Sequence, residues 1–244
     1  MNFSNSSNPR YELKFIAEPT EYFRVLNWLR QHQSCLKTEY PDRQINNIYF
    51  DSYHRHSYCD NIYGASSKSK IRFRWYGNAK EPKNGFLEIK CKRNQLNWKK
   101  IYKINGNLDN KISWRDIVSE IRNQLPSEGK KWLEMNPLPI LMNRYRRKYF
   151  VSHGKKVRVT LDSDLIVFDQ SKKPFANYSL KSNLPQVIVL EINRDGQMYG
   201  ILRKEIATEL VPKLYSVAFS DGLPPRAAEY AEAIIGTLES FEVS

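Results

Sequence analysis

Apolar and polar residues alternate along much of this chain with the period of two that belongs to β-strands. The alternating segments are Arg10–Ala17, Ile45–Asp51, Lys70–Tyr76, Gly85–Lys92, Lys100–Ile104, Arg144–Val151, Val157–Asp162, Leu165–Phe168 and Val187–Asn193. Helical spacing interrupts them in few places. Thr20 can cap a helix running to about Gln33, with Phe23, Leu26 and Leu29 on one face. Ser113 and Asp116 have capping-box spacing ahead of Ile117, Ile121 and Leu125. Met198–Leu210 reads as a third helix. Pro224-Pro225 opens a fourth, from about residue 225, carrying Ala228, Ala231, Ile235 and Leu238. No Pro/Gly-rich linker divides the chain, so residues 10–244 are expected to form a single domain behind a disordered polar tail at 1–9. Strand runs with helices between them predict an α+β fold, and a closed barrel would remove the exposed strand edges.

The polar rows of these strands are unusual in what they carry. Lys70, Arg72 and Arg74 share one face, against Ile71, Phe73 and Trp75 on the other. Glu88, Lys90 and Lys92 oppose Leu87, Ile89 and Cys91. Arg10, Glu12 and Lys14 line up, as do Arg158, Thr160 and Asp162, and Glu191 with Asn193. A single such row is an ordinary solvated sheet face. Several together, rich in Arg and Lys with one or two carboxylates each, suggest a lined interior, with the apolar rows packed on helices outside it. Buried unpaired cations are too costly to persist, so that interior would hold water and anions. Arginine forks suit phosphate oxygens, and a few Glu residues could hold a divalent cation that bridges them.

Composition narrows the partners. Apolar residues make up 41 % of the chain and aromatics 13 %, enough for a packed core and against general disorder. The 39 Lys and Arg outnumber the 26 Asp and Glu, giving a net charge of +13 that favours a polyanion. Cys35, Cys59 and Cys91 are odd in number and widely spaced, which supports neither a disulfide framework nor a zinc knuckle and fits a reducing, cytoplasmic setting. No apolar run is long enough for a membrane span, and the first residues lack the apolar stretch of a secretory signal.

The segments RYELKF (10–15), INNIYFDS (45–52), YCDNIYG (58–64), KIRFRWYG (70–77), LEIKCKRN (87–94), NRYRRKYF (143–150), VRVTLDSDL (157–165) and VLEIN (189–193) resemble, in order, the VTC domain of polyphosphate polymerases. That family belongs to the triphosphate tunnel metalloenzymes, the CYTH-like superfamily. The resemblance implies a closed eight-stranded antiparallel β-barrel with helices packed outside and a cationic tunnel within. It implies catalytic roles for Arg72, Arg74, Lys90, Arg147 and Arg158. Substrate-binding roles are expected for Lys14, Arg10, Lys70, Lys92 and Lys103, and metal binding for Glu191, with Glu12 and Glu88 of second rank. Arg144 and Arg146 would share the face opposite Arg147. The implied cofactor is Mn2+ or Mg2+, and the implied partners are ATP, tripolyphosphate or polyphosphate, with a membrane-bound partner subunit compatible. The chain departs from the family pattern at Asn193, where a Lys is usual, and in Tyr215–Gly222, which contains no Lys.

Other chemistries find little support. There is no Walker A loop, no G-x-G-x-x-G after a strand and no H-E-x-x-H. His54 and His56 read as parts of a polar loop, His153 as a hairpin residue and Cys91 as a structural thiol. Nucleic acid is not the expected partner, although Arg and Lys interleaved with aromatics could serve RNA. The expected activity is phosphotransfer onto a polyphosphate chain. The alternatives are a triphosphatase or inorganic polyphosphatase, and a non-catalytic polyphosphate or nucleotide binder.

Overall fold

The computed structural model describes residues 10–93, 96–108, 113–155, 157–171 and 173–195. The alternating segments form β1 (Arg10–Ala17), β2 (Lys37–Asp51), β3 (Ser67–Tyr76), β4 (Lys83–Arg93), β5 (Leu96–Asn107), β6 (Leu138–Val151), β7 (Val157–Asp169) and β8 (Ile188–Asp195). The helices are α1 (Tyr22–Gln31), α2 (His56–Ile62), α3 (Trp114–Asn123) and α4 (Ser127–Met135), with a 3-10 turn at Pro19–Glu21. The tail at 1–9, the helices expected at Met198–Leu210 and from about 225, and the Tyr215–Gly222 stretch lie outside the described residues.

The strands make one antiparallel sheet in the order β1-β8-β7-β6-β2-β3-β4-β5. The closed barrel expected from the resemblance is not formed. Closure needs a ladder between the first and last strands of that order, whereas among the described residues β1 pairs only with β8 and β5 only with β4. Period-two alternation tells which face of a strand is buried. It carries no information on whether two sheet edges meet.

The apolar face is covered by helices, in two clusters. Ile48, Phe50, Ile71, Phe73, Trp75, Leu87 and Ile89 pack with Trp114, Ile117 and Ile121 of α3, Leu125, and Leu133 of α4. Ala17, Val157, Val159, Leu161, Ile188, Leu190 and Ile192 pack with Val25, Leu26 and Leu29 of α1. Gly85 is required by this packing, because a Cβ there would come within 2.3 Å of the Phe73 ring. The Ser113 hydroxyl accepts from the Asp116 amide at 3.2 Å and starts α3, as the capping spacing predicts.

Local expectations fail where tertiary packing decides. Phe23, placed on the buried face of α1, is 72 % exposed, and Val25 takes the inward position instead. Of the polar loop expected at His54 and His56, His54 lies in a turn and His56 begins α2. Buried Asp51 accepts hydrogen bonds from the backbone amides of Ser52 (2.7 Å), Ser57 (3.0 Å) and Tyr58 (3.1 Å), which satisfies the start of that helix. Val157–Phe168 is one strand, in which Asp164 adopts a φ of 56°. Among the described residues no helix is long and apolar enough to cross a membrane.

Candidate functional site

The opposite face of the sheet gathers the charged rows, and antiparallel register sets their order. Asn47, Arg74 and Phe86 stand level across β2, β3 and β4, and Tyr49, Arg72 and Glu88 occupy the next level. Lys70, Lys90 and Lys99 follow, then Lys68, Lys92 and Asn97. Like charges directly opposite each other destabilise a sheet. Two successive levels rich in lysine, Lys99 among them paired with Glu88, give this stretch of the face a concentration of positive charge. Burial lowers the pKa of Lys68, and the neighbouring Lys92 lowers it further.

Glu88 organises this half of the face. Its Oε2 accepts from Nε and Nη2 of Arg72, both at 2.6 Å, and its Oε1 accepts from Lys99 at 2.8 Å. Arg74 lies 4.0 Å away. Burial alone would raise the Glu88 carboxyl. Arg72, Arg74 and Lys99 outweigh it and hold the pKa at about 2. Arg72 also donates to the Tyr49 hydroxyl at 3.4 Å, and Arg74 Nε donates to Asn47 Oδ1 at 2.7 Å. Asn47 in turn donates to Asn143 at 2.8 Å, which fixes its amide.

Tyr145 joins this group to a second one. Its hydroxyl accepts from Arg74 Nη2 at 3.3 Å, and the Arg147 guanidinium lies 5.3 Å from its ring centre. Arg147 Nε and Nη2 donate to the two carboxylate oxygens of Asp162, each at 2.6 Å, and Glu191 lies 3.7 Å from Nη2. Burial lifts the Asp162 pKa above its ordinary value in spite of Arg147, and the Glu191 carboxylate adds to the rise. Asn193 donates to Glu191 Oε1 at 2.8 Å. Among the described residues, the buried Thr160 Oγ1, level with Glu191 in the β7–β8 ladder, has no hydrogen-bond partner.

The remaining sequence candidates fall around these groups. Arg158, two residues before Thr160, is exposed and stands opposite Asn193. In the β1–β8 ladder Lys14 stands opposite Glu191, Glu12 opposite Asn193 and Arg10 opposite Asp195. Lys103 is exposed on β5, opposite Phe86. A register shift between Arg144 and Arg146 bulges β6 against β7. Arg147 enters the cluster, Arg144 lies over the Phe168 ring at 5.7 Å and Arg146 is exposed.

Sequence reading missed Lys99, Tyr145, Tyr49 and Asn47, and did not give Asp162 a role. Lys99 falls one residue before the alternating run that begins at Lys100. Its spacing of four from Lys103 places both on one face of a strand and could have found it.

A divalent cation fits this face at one place. Mg2+ and Mn2+ prefer oxygen ligands, and Mg2+ is commonly held by one or two carboxylates with substrate phosphates completing its shell. Glu191, level with the orphan Thr160 hydroxyl, supplies one such carboxylate, whereas Asp162 beside it gives both of its oxygens to Arg147. Glu88 fits poorly, since both of its oxygens are taken by cations. Among the described residues no group of three or more His, Cys, Asp or Glu gathers. A cavity of about 260 Å³ bordered by Asp164, Ile166, Lys181 and Gln186 shares none of the residues of the cationic cluster.

Comparison with solved structures finds loose overlaps. A Vibrio parahaemolyticus protein named as a candidate adenylate cyclase is 11 % identical, with 89 % of this chain and 97 % of that one covered at a TM-score of 0.44. A Hippeastrum protein described as having a dominant triphosphatase activity is 13 % identical, with 91 % and 96 % covered at 0.39. A Pyrococcus horikoshii protein is 13 % identical, with 93 % and 99 % covered at 0.39. Overlaps at this level carry no conclusion about chemistry. Comparison with curated proteins finds no match. The VTC domain, by contrast, matches residues 9–220, most of the chain and all of the strands just described. The chain belongs to the VTC domain family.

Proposed function

We propose that this protein is a metal-dependent phosphotransferase of the polyphosphate polymerase type, which takes phosphoryl groups from a nucleoside triphosphate and holds the phosphate chain along the cationic face of its sheet. The observation that carries this reading is the convergence of three guanidinia, Arg72, Arg74 and Arg147, each largely buried and each held by side chains of neighbouring strands. Phosphoryl transfer asks little covalent chemistry of a protein. It asks for positioned charge where the transferring group gathers it. Glu88 and Asp162 hold the Arg72 and Arg147 forks in place before substrate arrives, so little reorganisation is left for the reaction itself. The lysine rows at Lys68, Lys70, Lys90, Lys92 and Lys99 extend the positive surface for a chain longer than three phosphates.

Glu191, with Glu12 near it in the β1–β8 ladder, is the carboxylate that would hold Mn2+ or Mg2+. The bound ion would bridge phosphate oxygens and offset their charge. Arg10, Lys14, Arg158 and Lys103 then serve as outer contacts to the chain.

A second reading is hydrolysis, with water as the acceptor. Asn193 favours it, because an amide bonded to Glu191 stands where the family pattern has a lysine to hold product. Incubation with ATP and Mn2+, followed by electrophoresis of the products, separates the two. Polyphosphate longer than three units supports the polymerase. Orthophosphate without chain growth supports the hydrolase. Tripolyphosphate binding with neither product leaves a binding module, and the proposal falls.

A further inference from the structure

At one border of the cationic face three tyrosine rings surround a single guanidinium. Arg43 of β2 lies 5.1 Å from the ring centre of Tyr40 and 5.8 Å from those of Tyr76 and Tyr149. Tyr40 and Tyr149 stand opposite each other in the β2–β6 ladder and meet edge to face, 5.6 Å apart at 87°. The cluster is open to solvent, with Tyr40 44 % and Tyr76 40 % exposed, whereas Phe73 and Trp75 next to it on β3 are fully buried. Aromatic rings kept for stability alone belong with the latter pair. The register of β2 shifts on both sides of Tyr40, and bulges of this kind re-aim side chains beside functional sites.

Position ties the cluster to the phosphate-binding face. Tyr76 follows Arg74 by two residues on β3, and Tyr149 follows Arg147 by two residues on β6. On each strand a tyrosine thus stands about 7 Å along the same face from an arginine of the site. A bare phosphate chain has no π face and gains nothing from these rings. A nucleoside triphosphate offers both a π face and a phosphate tail.

We propose that Tyr40, Arg43, Tyr76 and Tyr149 form a nucleobase platform. The base stacks on the exposed tyrosine rings and the Arg43 plane, and its phosphates run onto Arg74 and Arg147. This assignment rests on the phosphate-binding reading above and adds the donor's base to it. Stacking reads the π face and not the base edges, so the platform accepts purines without choosing among them.

The test compares ATP with tripolyphosphate by calorimetry, for the unmodified protein, Tyr40→Ala, Tyr76→Ala, the double Ala variant and Tyr76→Phe, each checked for folding by thermal melting. The Ala variants should lose on the order of tenfold in ATP affinity and keep their affinity for tripolyphosphate, while Tyr76→Phe keeps both. The single variants preserve the comparison if the double one does not fold. Equal loss for both ligands, or no loss for ATP, overturns the platform and leaves phosphate binding standing. Failure of the unmodified protein to bind tripolyphosphate removes the phosphate reading and the platform together.

Discussion

Arg72 and Glu88 face each other across the β3–β4 ladder, and one carboxylate oxygen takes two nitrogens of the guanidinium at 2.6 Å while the other takes Lys99. This pairing fixes an arginine fork in a buried place where it could not otherwise remain charged at low cost. On the proposed reading Glu88 positions the Arg72 fork for phosphate rather than holding the metal. Glu88→Gln should therefore lower stability by about 3 kcal/mol, with Arg72 and Lys99 left uncompensated. Added tripolyphosphate should restore thermal stability more to the variant than to the unmodified protein, because phosphate oxygens replace the lost carboxylate. Equal stabilisation of both by the ligand would place Arg72 away from the anion.

The same carboxylate sets an acid limit. Its folded pKa of about 2 lies below the ordinary 4.5, so its stabilising contribution is fully present above about pH 4.5 and is lost as pH falls toward 2. The shift corresponds to about 3 kcal/mol. Chemical denaturation across this range should show stability falling with pH, and Glu88→Gln should flatten that fall. A variant with an unchanged acid slope would show that the Glu88 carboxyl titrates alike in the folded and unfolded protein.

Glu191 lies 3.7 Å from Arg147 and stands level with Thr160, whose hydroxyl has no hydrogen-bond partner among the described residues. Glu191→Gln should reduce Mn2+-dependent turnover by at least tenfold, the loss expected for a charged metal ligand or its close partner. Metal-free tripolyphosphate binding should persist or strengthen, since a negative charge has left the face. Titration with and without Mn2+ reads both effects. Retained metal dependence would move the ion to Glu12.

Asn193 points along the same row as Glu191 and is hydrogen-bonded to it. Asn193→Lys should pair with Glu191 and add a cation at that end of the face. The gain should appear in affinity for long polyphosphate, by a few-fold, and hardly at all for tripolyphosphate. An equal gain for both ligands would mean that the short chain already reaches Asn193.

Much of this was legible in the sequence because the face of a strand is a local property. The parity of Lys70, Arg72 and Arg74 against Ile71, Phe73 and Trp75 was enough to place the three cations together, and the order of motifs was enough to name the family. Sheet closure was not legible, since whether the edge strands β1 and β5 meet depends on long-range contacts that no alternation encodes. Tyr145 was hidden in the Arg144–Arg147 run. A bulge and a phenol hydroxyl, not a charge, let it connect the two arginine groups. Asp51 was hidden for the opposite reason: a conspicuous carboxylate near two histidines turned out to cap a helix.

The most direct test of phosphate binding on this face is calorimetric titration of tripolyphosphate into the unmodified protein, Arg74→Ala and Arg147→Ala, at two salt concentrations. The unmodified protein should bind, more weakly at the higher salt, and each variant should lose at least tenfold in affinity while remaining folded by circular dichroism. Folded variants that bind tripolyphosphate as tightly as the unmodified protein would contradict the assignment of this face as the phosphate site.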